Sequence, residues 1–170
     1  MMEGESYISR SEIIVNINTN QVAHSLRTIE SSHKQKLKTW NDSSGVNFTR
    51  IPGIWPTYDR FTSCYYFGYW DKVNKCYIDV NWDTENPFEE PKDCVQHLMD
   101  LLITILIPVG KKKCRIVNIT KSNPQIFGFV PKIGQMTNKN TSLKMLEFVK
   151  NLEEKQNSPN KNEKRSTTVR

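Results

Sequence analysis

A chain of 170 residues is the usual length of one domain and long enough to bury a core. With 36% hydrophobic and 25% charged residues but only 7 glycines and 8 prolines, it is neither collagen-like, low-complexity nor wholly disordered. Lys plus Arg number 24 against 18 Asp plus Glu, and the net charge of +6 favours polyanions or acidic protein surfaces without choosing between them.

The longest apolar run, residues 101–109, is far shorter than the roughly 18 residues that cross a bilayer. The N-terminus has no basic-then-apolar leader, so the expectation is an intracellular protein with no membrane partner. Cys64, Cys76, Cys94 and Cys114 are widely spaced with no C-x-x-C pair, which predicts reduced, mostly buried thiols and no metal site. Asn-x-Ser/Thr sequons at Asn41, Asn47, Asn118 and Asn140 are what a chain rich in Asn, Ser and Thr produces by chance.

In chain order, Ile13, Val15 and Ile17 alternate over residues 12–18 and predict a first strand. The polar, basic stretch that follows is expected as a long loop over about 19–60, with a helix at 21–37 as the equal alternative. Within it, Pro52, Gly53 and Pro56 punctuate an irregular arm around Trp55. Residues 61–70 and 75–82, aromatic and β-branched about the short turn 71–74, predict a hairpin. In its second strand Cys76, Ile78, Val80 and Trp82 are expected in the core, leaving Tyr77, Asp79 and Asn81 to solvent or a ligand. Gly68 is expected to mark a bulge.

Cys94, Leu98, Leu101, Leu102 and Ile105 recur at helical spacing and stop at Pro108, predicting a helix over 93–107. Strands at 114–120 and 125–130 then predict a second hairpin. Met145, Val149 and Leu152 keep a helical stripe over 141–152, and residues 153–170 read as a disordered polar tail. This order predicts a mainly β domain over 1–152. It would be an OB-like five-stranded barrel with a helix between strands 3 and 4 and a C-terminal helix, the alternative being an open α+β sandwich.

Three histidines and a lone Asp79 and Asp83 pair predict neither catalytic nor metal residues and no enzyme, and no Gly-rich phosphate loop or cofactor motif occurs. What remains is a basic and aromatic surface. Lys72, Lys75, Tyr77, Lys111, Lys112, Lys113, Arg115 and Lys121 are the candidate nucleic-acid contacts, with Tyr65, Phe67, Tyr69 and Tyr77 as stacking rings. Met145, Val149 and Leu152 are the candidate partner-binding stripe, unless they pack on their own domain. An RNA-binding protein and a pure protein adaptor are the competing functions.

The compact run Gly110-Lys-Lys-Lys-Cys-Arg115 resembles the Tat-like basic motif associated with the fly telomere-capping proteins of the terminin complex. That resemblance implies a non-enzymatic telomere-capping component in the nucleus, at chromosome ends. It would bind single-stranded DNA within a complex containing verrocchio, the telomere-ends-associated protein and HOAP. The resemblance supplies no contact residues of its own.

Overall fold

A computed structural model describes residues 7–28, 34–52, 58–84, 93–96, 98–123 and 152. Its elements are β1 (Tyr7–Val15), α1 (Thr19–Thr28), β2 (Lys34–Asn41), β3 (Ser44–Ile51), β4 (Asp59–Asp71), β5 (Cys76–Asp83), β6 (Cys94–Gln96), β7 (Leu98–Gly110) and β8 (Lys113–Asn123). All eight strands belong to one sheet, ordered β1-β8-β7-β5-β4-β3-β2, with antiparallel pairing along that path and the short β6 parallel to β4. This overturns the five-stranded OB-like barrel: among the described residues the sheet has eight strands, and α1 follows the first strand instead of the third.

The hairpin at 61–82 is present as β4 and β5, joined by a turn that Asp71 organises. Its Oδ1 accepts the Val73 and Asn74 amides at 2.9 and 3.1 Å, and its Oδ2 accepts the Asn74 side-chain amide at 2.6 Å. Lys75 closes the turn at φ 52°, a left-handed conformation unusual away from glycine. The stretch expected as a long loop carries α1, β2 and β3. Asn18 caps α1, its Oδ1 accepting the Asn20 amide at 2.8 Å and its carbonyl the Gln21 and Val22 amides. The polar, lysine-bearing β2 is an edge strand, a place where charge discourages pairing with other chains.

The helix expected over 93–107 is not there; those residues form β6 and most of β7. β7 lies between β5 and β8 and carries apolar side chains on both faces, Leu106 buried on the inner one and Ile103, Ile105 and Ile107 half-buried on the outer, so its sequence shows no two-residue period. An unbroken apolar run then also satisfies helical spacing at 98, 101, 102 and 105. The β-branched Ile103, Thr104, Ile105, Ile107 and Val109 favour the strand. The expected strand at 125–130 and tail at 153–170 lie outside the described residues.

α1 packs on β7 and β8 at one end of the sheet. Val15, Ile17, Val22, Ala23, Tyr77, Leu106, Cys114, Ile116 and Leu152 form the core cluster between them, with Leu106, Val22 and Cys114 completely inaccessible.

Candidate functional site on the inner sheet face

Register places side chains in rows across the face that α1 covers. One row, Ile13, Ile116, Leu106, Tyr77 and Trp70, is apolar apart from the Tyr77 hydroxyl. Two residues along each strand, the next row reads Ser11, Asn118, Thr104, Asp79 and Gly68. A polar stripe therefore crosses the inside of the sheet, with Asp79 and Thr104 only 8% and 6% exposed.

Arg27, in the last turn of α1, reaches down to this stripe. Thr19, Val22 and Ala23 form the buried side of the helix, and Arg27, one turn beyond Ala23, extends it. Its guanidinium pairs with the Asp79 carboxylate, and both side chains are nearly buried, at 10% and 11% exposure. Arg27 Nε also donates to the Tyr77 hydroxyl at 2.8 Å. Its Cζ stands 4.9 Å from the Tyr66 ring centre, within cation–π range. Asn81 Nδ2 donates to the other Asp79 oxygen at 2.7 Å. Burial pushes the Tyr77 phenol upward in pKa, and the Arg27 hydrogen bond acts against it.

Gly68 makes this possible. A Cβ there would strike both the Arg27 guanidinium and the Tyr77 hydroxyl, so the glycine serves close approach in place of the expected bulge. The result is a shallow, half-open recess with free space of about 10 Å³, room for one water, lined by Leu26, Arg27, Lys36, Asn47, Tyr66, Asp79 and Asn81.

The opposite face is unexpectedly apolar. Its rows include Val117, Ile105, Ile78 and Tyr69, and Ile119, Ile103, Val80 and Phe67. Trp40 stacks on Tyr65 and Tyr65 packs against Trp82, while Phe67 stacks on Tyr69. Apart from Cys76, which is buried as expected, the faces of β5 are thus reversed from expectation: Tyr77 and Asp79 are buried, whereas Ile78 and Val80 are half-buried and Trp82 is 41% exposed. The reason is tertiary. α1 with its arginine covers the polar side and supplies the charge that Asp79 needs, which strand alternation alone cannot show.

The basic residues singled out from sequence separate into groups. Lys72 and Lys75 lie in the β4–β5 turn and Lys111, Lys112 and Lys113 at the β7–β8 turn, at the same end of the sheet and all exposed. Arg115 is on the outer face, bound to Glu12 at 2.6 Å, and Glu12 also holds Arg10 at 2.7 Å. Lys121 is at the far end of β8, 3.5 Å from Asp100. Tyr77 is buried on the inner face, away from Tyr65, Phe67 and Tyr69, so these four do not form one stacking platform. Leu152 is 8% exposed inside the core cluster, and Met145 and Val149 lie outside the described residues.

Sequence reading did not single out Arg27 as a site residue and left Asp79 to solvent or a ligand. The available signals were an arginine one turn from Ala23 on the buried side of α1, and an aspartate inside a strand too apolar to be an edge.

No protein-family model matches the chain, and no curated protein matches its sequence. Solved structures do match its shape. Over 85% of this chain and 76% of the other, it resembles the human StarD13 (DLC2) lipid transfer and protein localization domain, with a TM-score of 0.71 at 11% identity. Human STARD10 matches with a TM-score of 0.67 at 16% identity, over 86% of this chain but only 62% of that one, less than two thirds of its length. Norcoclaurine synthase from Thalictrum flavum matches with a TM-score of 0.51 at 10% identity, over 88% of this chain and 87% of the other. These neighbours are StAR-related lipid transfer (START) and Bet v1-like folds, not telomere-capping proteins, so the likeness to modigliani and the terminin complex does not hold. With it go the telomere-capping function, the single-stranded DNA partner and the verrocchio, telomere-ends-associated protein and HOAP contacts. The chain has the helix-grip fold of the START and Bet v1-like proteins.

Proposed function

We propose that this protein binds a small amphipathic lipid between the inner sheet face and its helical cover, and that it does so as a carrier without catalysing a reaction. The observation that carries this reading is the nearly buried Arg27–Asp79 pair set in a polar stripe beside an apolar row, on the face that α1 covers. A buried ion pair is a poor stabiliser compared with a well-packed apolar substitute, so its presence on that face supports a binding role. The likeness to the StarD13 lipid transfer and protein localization domain supports the same ligand class.

The chemistry fits a ligand with an apolar body and one polar end. Arg27 Nη, the Asp79 carboxylate and the Tyr77 hydroxyl offer both donors and acceptors to a hydroxyl or carbonyl head. The recess as it stands has free space of about 10 Å³, a single water, whereas a ligand of this kind needs about 300–1,000 Å³, so the cover must open for head and body alike. The ligand's body would lie against Leu26, which lines the recess and packs on the core cluster, displacing part of the cover as it enters. Asp79 is already paired with Arg27, an arrangement suited to holding a polar group and ill suited to abstracting a proton.

The test is displacement of an environment-sensitive fluorescent lipid from the full chain by unlabelled sterols, fatty acids and phospholipids. Saturable binding that weakens at least tenfold in Arg27→Met supports the reading. No binding by any class, or equal binding by that variant, overturns it.

A further inference from the structure

The end of the sheet where the β4–β5 and β7–β8 turns meet has no role in the ligand site. Register brings the turns together: Asp71 faces Cys76, Tyr77 faces Leu106, and Gly110 faces Lys113. Lys72, Lys75, Lys111, Lys112 and Lys113 are exposed there, and none of them makes an ion pair among the described residues. The nearby acids are otherwise engaged. Asp71 is tied up by Val73 and Asn74 of its own turn, and Glu12 is held by Arg10 and Arg115.

Apolar side chains stand among these cations. Val73 is 87% exposed at the tip of the first turn, and Val109 is 52% exposed beside the second. Trp70, on the strand leading into the first turn, is 43% exposed with its ring edge-packed on Tyr77. The turns are held in place, the first by the Asp71 hydrogen bonds and the second by Asn18, whose Nδ2 donates to the Lys111 carbonyl at 3.0 Å. Val73 is therefore presented to water by an ordered turn.

We propose that this end docks on an anionic phospholipid bilayer, with the lysines at the headgroups and Val73, Val109 and Trp70 entering the interface. Charge complementarity selects an acidic surface. The apolar groups select a bilayer over other polyanions. Val73 sits at one turn tip, Val109 beside the other turn and Trp70 on a strand, and among the described residues they form neither a cleft for a protein partner nor a run of free rings for stacking bases, whereas a bilayer interface accepts isolated apolar and aromatic side chains without shape complementarity. This surface is separate from the Arg27 recess.

The test is co-flotation of the full chain with vesicles of phosphatidylcholine alone and with vesicles of equal parts phosphatidylcholine and phosphatidylserine, over a salt series. Binding is expected only to the anionic vesicles and to fall as salt rises. Removing Lys111, Lys112 and Lys113 together by substitution to Ala is expected to weaken it about a hundredfold, at about fivefold per lysine. Val73→Ser, which leaves every charge in place, is expected to weaken it about tenfold. The Arg27→Met/Asp79→Leu double variant is expected to bind vesicles as the parent does, which keeps this result distinct from failure of the ligand reading. Absence of binding to the anionic vesicles, unchanged binding by the triple variant, or unchanged binding by Val73→Ser overturns the proposal. So does single-stranded DNA that binds the same end more tightly than the vesicles do.

Discussion

Replacing Arg27 by methionine leaves the Asp79 carboxylate on an inner face where it is 8% exposed, keeping the Asn81 hydrogen bond but losing its cation. Breaking a buried pair from one side costs about 3–5 kcal/mol. Because the recess is half open and Asn81 still donates, the lower end applies, about 3 kcal/mol. Part of that loss is the cation–π contact with Tyr66 and the hydrogen bond to Tyr77, worth about 1 kcal/mol each. In urea, where small domains lose about 1–3 kcal/mol per molar denaturant, the midpoint falls by roughly 1–3 M. Removing both charges, as Arg27→Met/Asp79→Leu, is expected to return stability to within about 1 kcal/mol of the parent, because no buried charge is left unpaired. Urea unfolding followed by circular dichroism measures all three proteins. A single-variant cost below about 1 kcal/mol, the size of an exposed pair, would refute the claim that this pair is buried. A double variant as unstable as the single one would refute it equally.

Gly68→Ala drives a Cβ into the Arg27 guanidinium and the Tyr77 hydroxyl, so it is expected to destabilise by about 1–3 kcal/mol and to weaken lipid binding, as read by thermal melting and probe displacement. Leu106→Ala, at a fully inaccessible site in the core cluster, is expected to cost about 2–5 kcal/mol in the same urea assay. Burial pushes the Cys76 and Cys114 thiols upward in pKa, so both should react with a maleimide far more slowly than the half-buried Cys94 until the protein is unfolded, as mapped by peptide mass spectrometry. The Asn74 side chain, then the Asn74 and Val73 amides, hold the Asp71 carboxyl below its usual range. Its stabilising effect is thus present at neutral pH and lost as pH falls through the depressed value. The gap in urea midpoint between the parent and Asp71→Ala should therefore narrow below about pH 4, and a gap that widens there would contradict the turn geometry.

The sequence was legible where local chemistry settles the outcome. The β4–β5 hairpin follows from two aromatic, β-branched runs around Asp71–Asn74, and the first strand from alternation at Ile13 and Val15. β7 was misread because a strand with apolar side chains on both faces loses its period, and its apolar run then fits a helix as well as a strand. α1 and β2 were hidden for the opposite reason. Their polarity, as a helix buried on one side and an edge strand, resembles that of a loop. The five-stranded topology inherited these errors.

The site was less legible still. Asp79 and Arg27 are 52 positions apart in sequence and meet only because α1 crosses β7 and reaches β5. Gly68 matters through what approaches it from another element, and no pattern within β4 announces that. The lysines were visible, and five of those named do gather at one end. Arg115 and Lys121 are drawn off by Glu12 and Asp100, contacts that strand register alone decides.

The most direct measurement is native mass spectrometry of the full chain, purified without detergent and incubated with a mixed lipid extract, beside the Arg27→Met/Asp79→Leu variant. The account predicts one lipid per chain on the parent, of a class with a hydroxyl or carbonyl head, and its loss from a variant whose circular dichroism spectrum is unchanged. A parent that takes up no lipid, or a folded variant that retains the same lipid at the same occupancy, would contradict the assignment of the inner face as a lipid site.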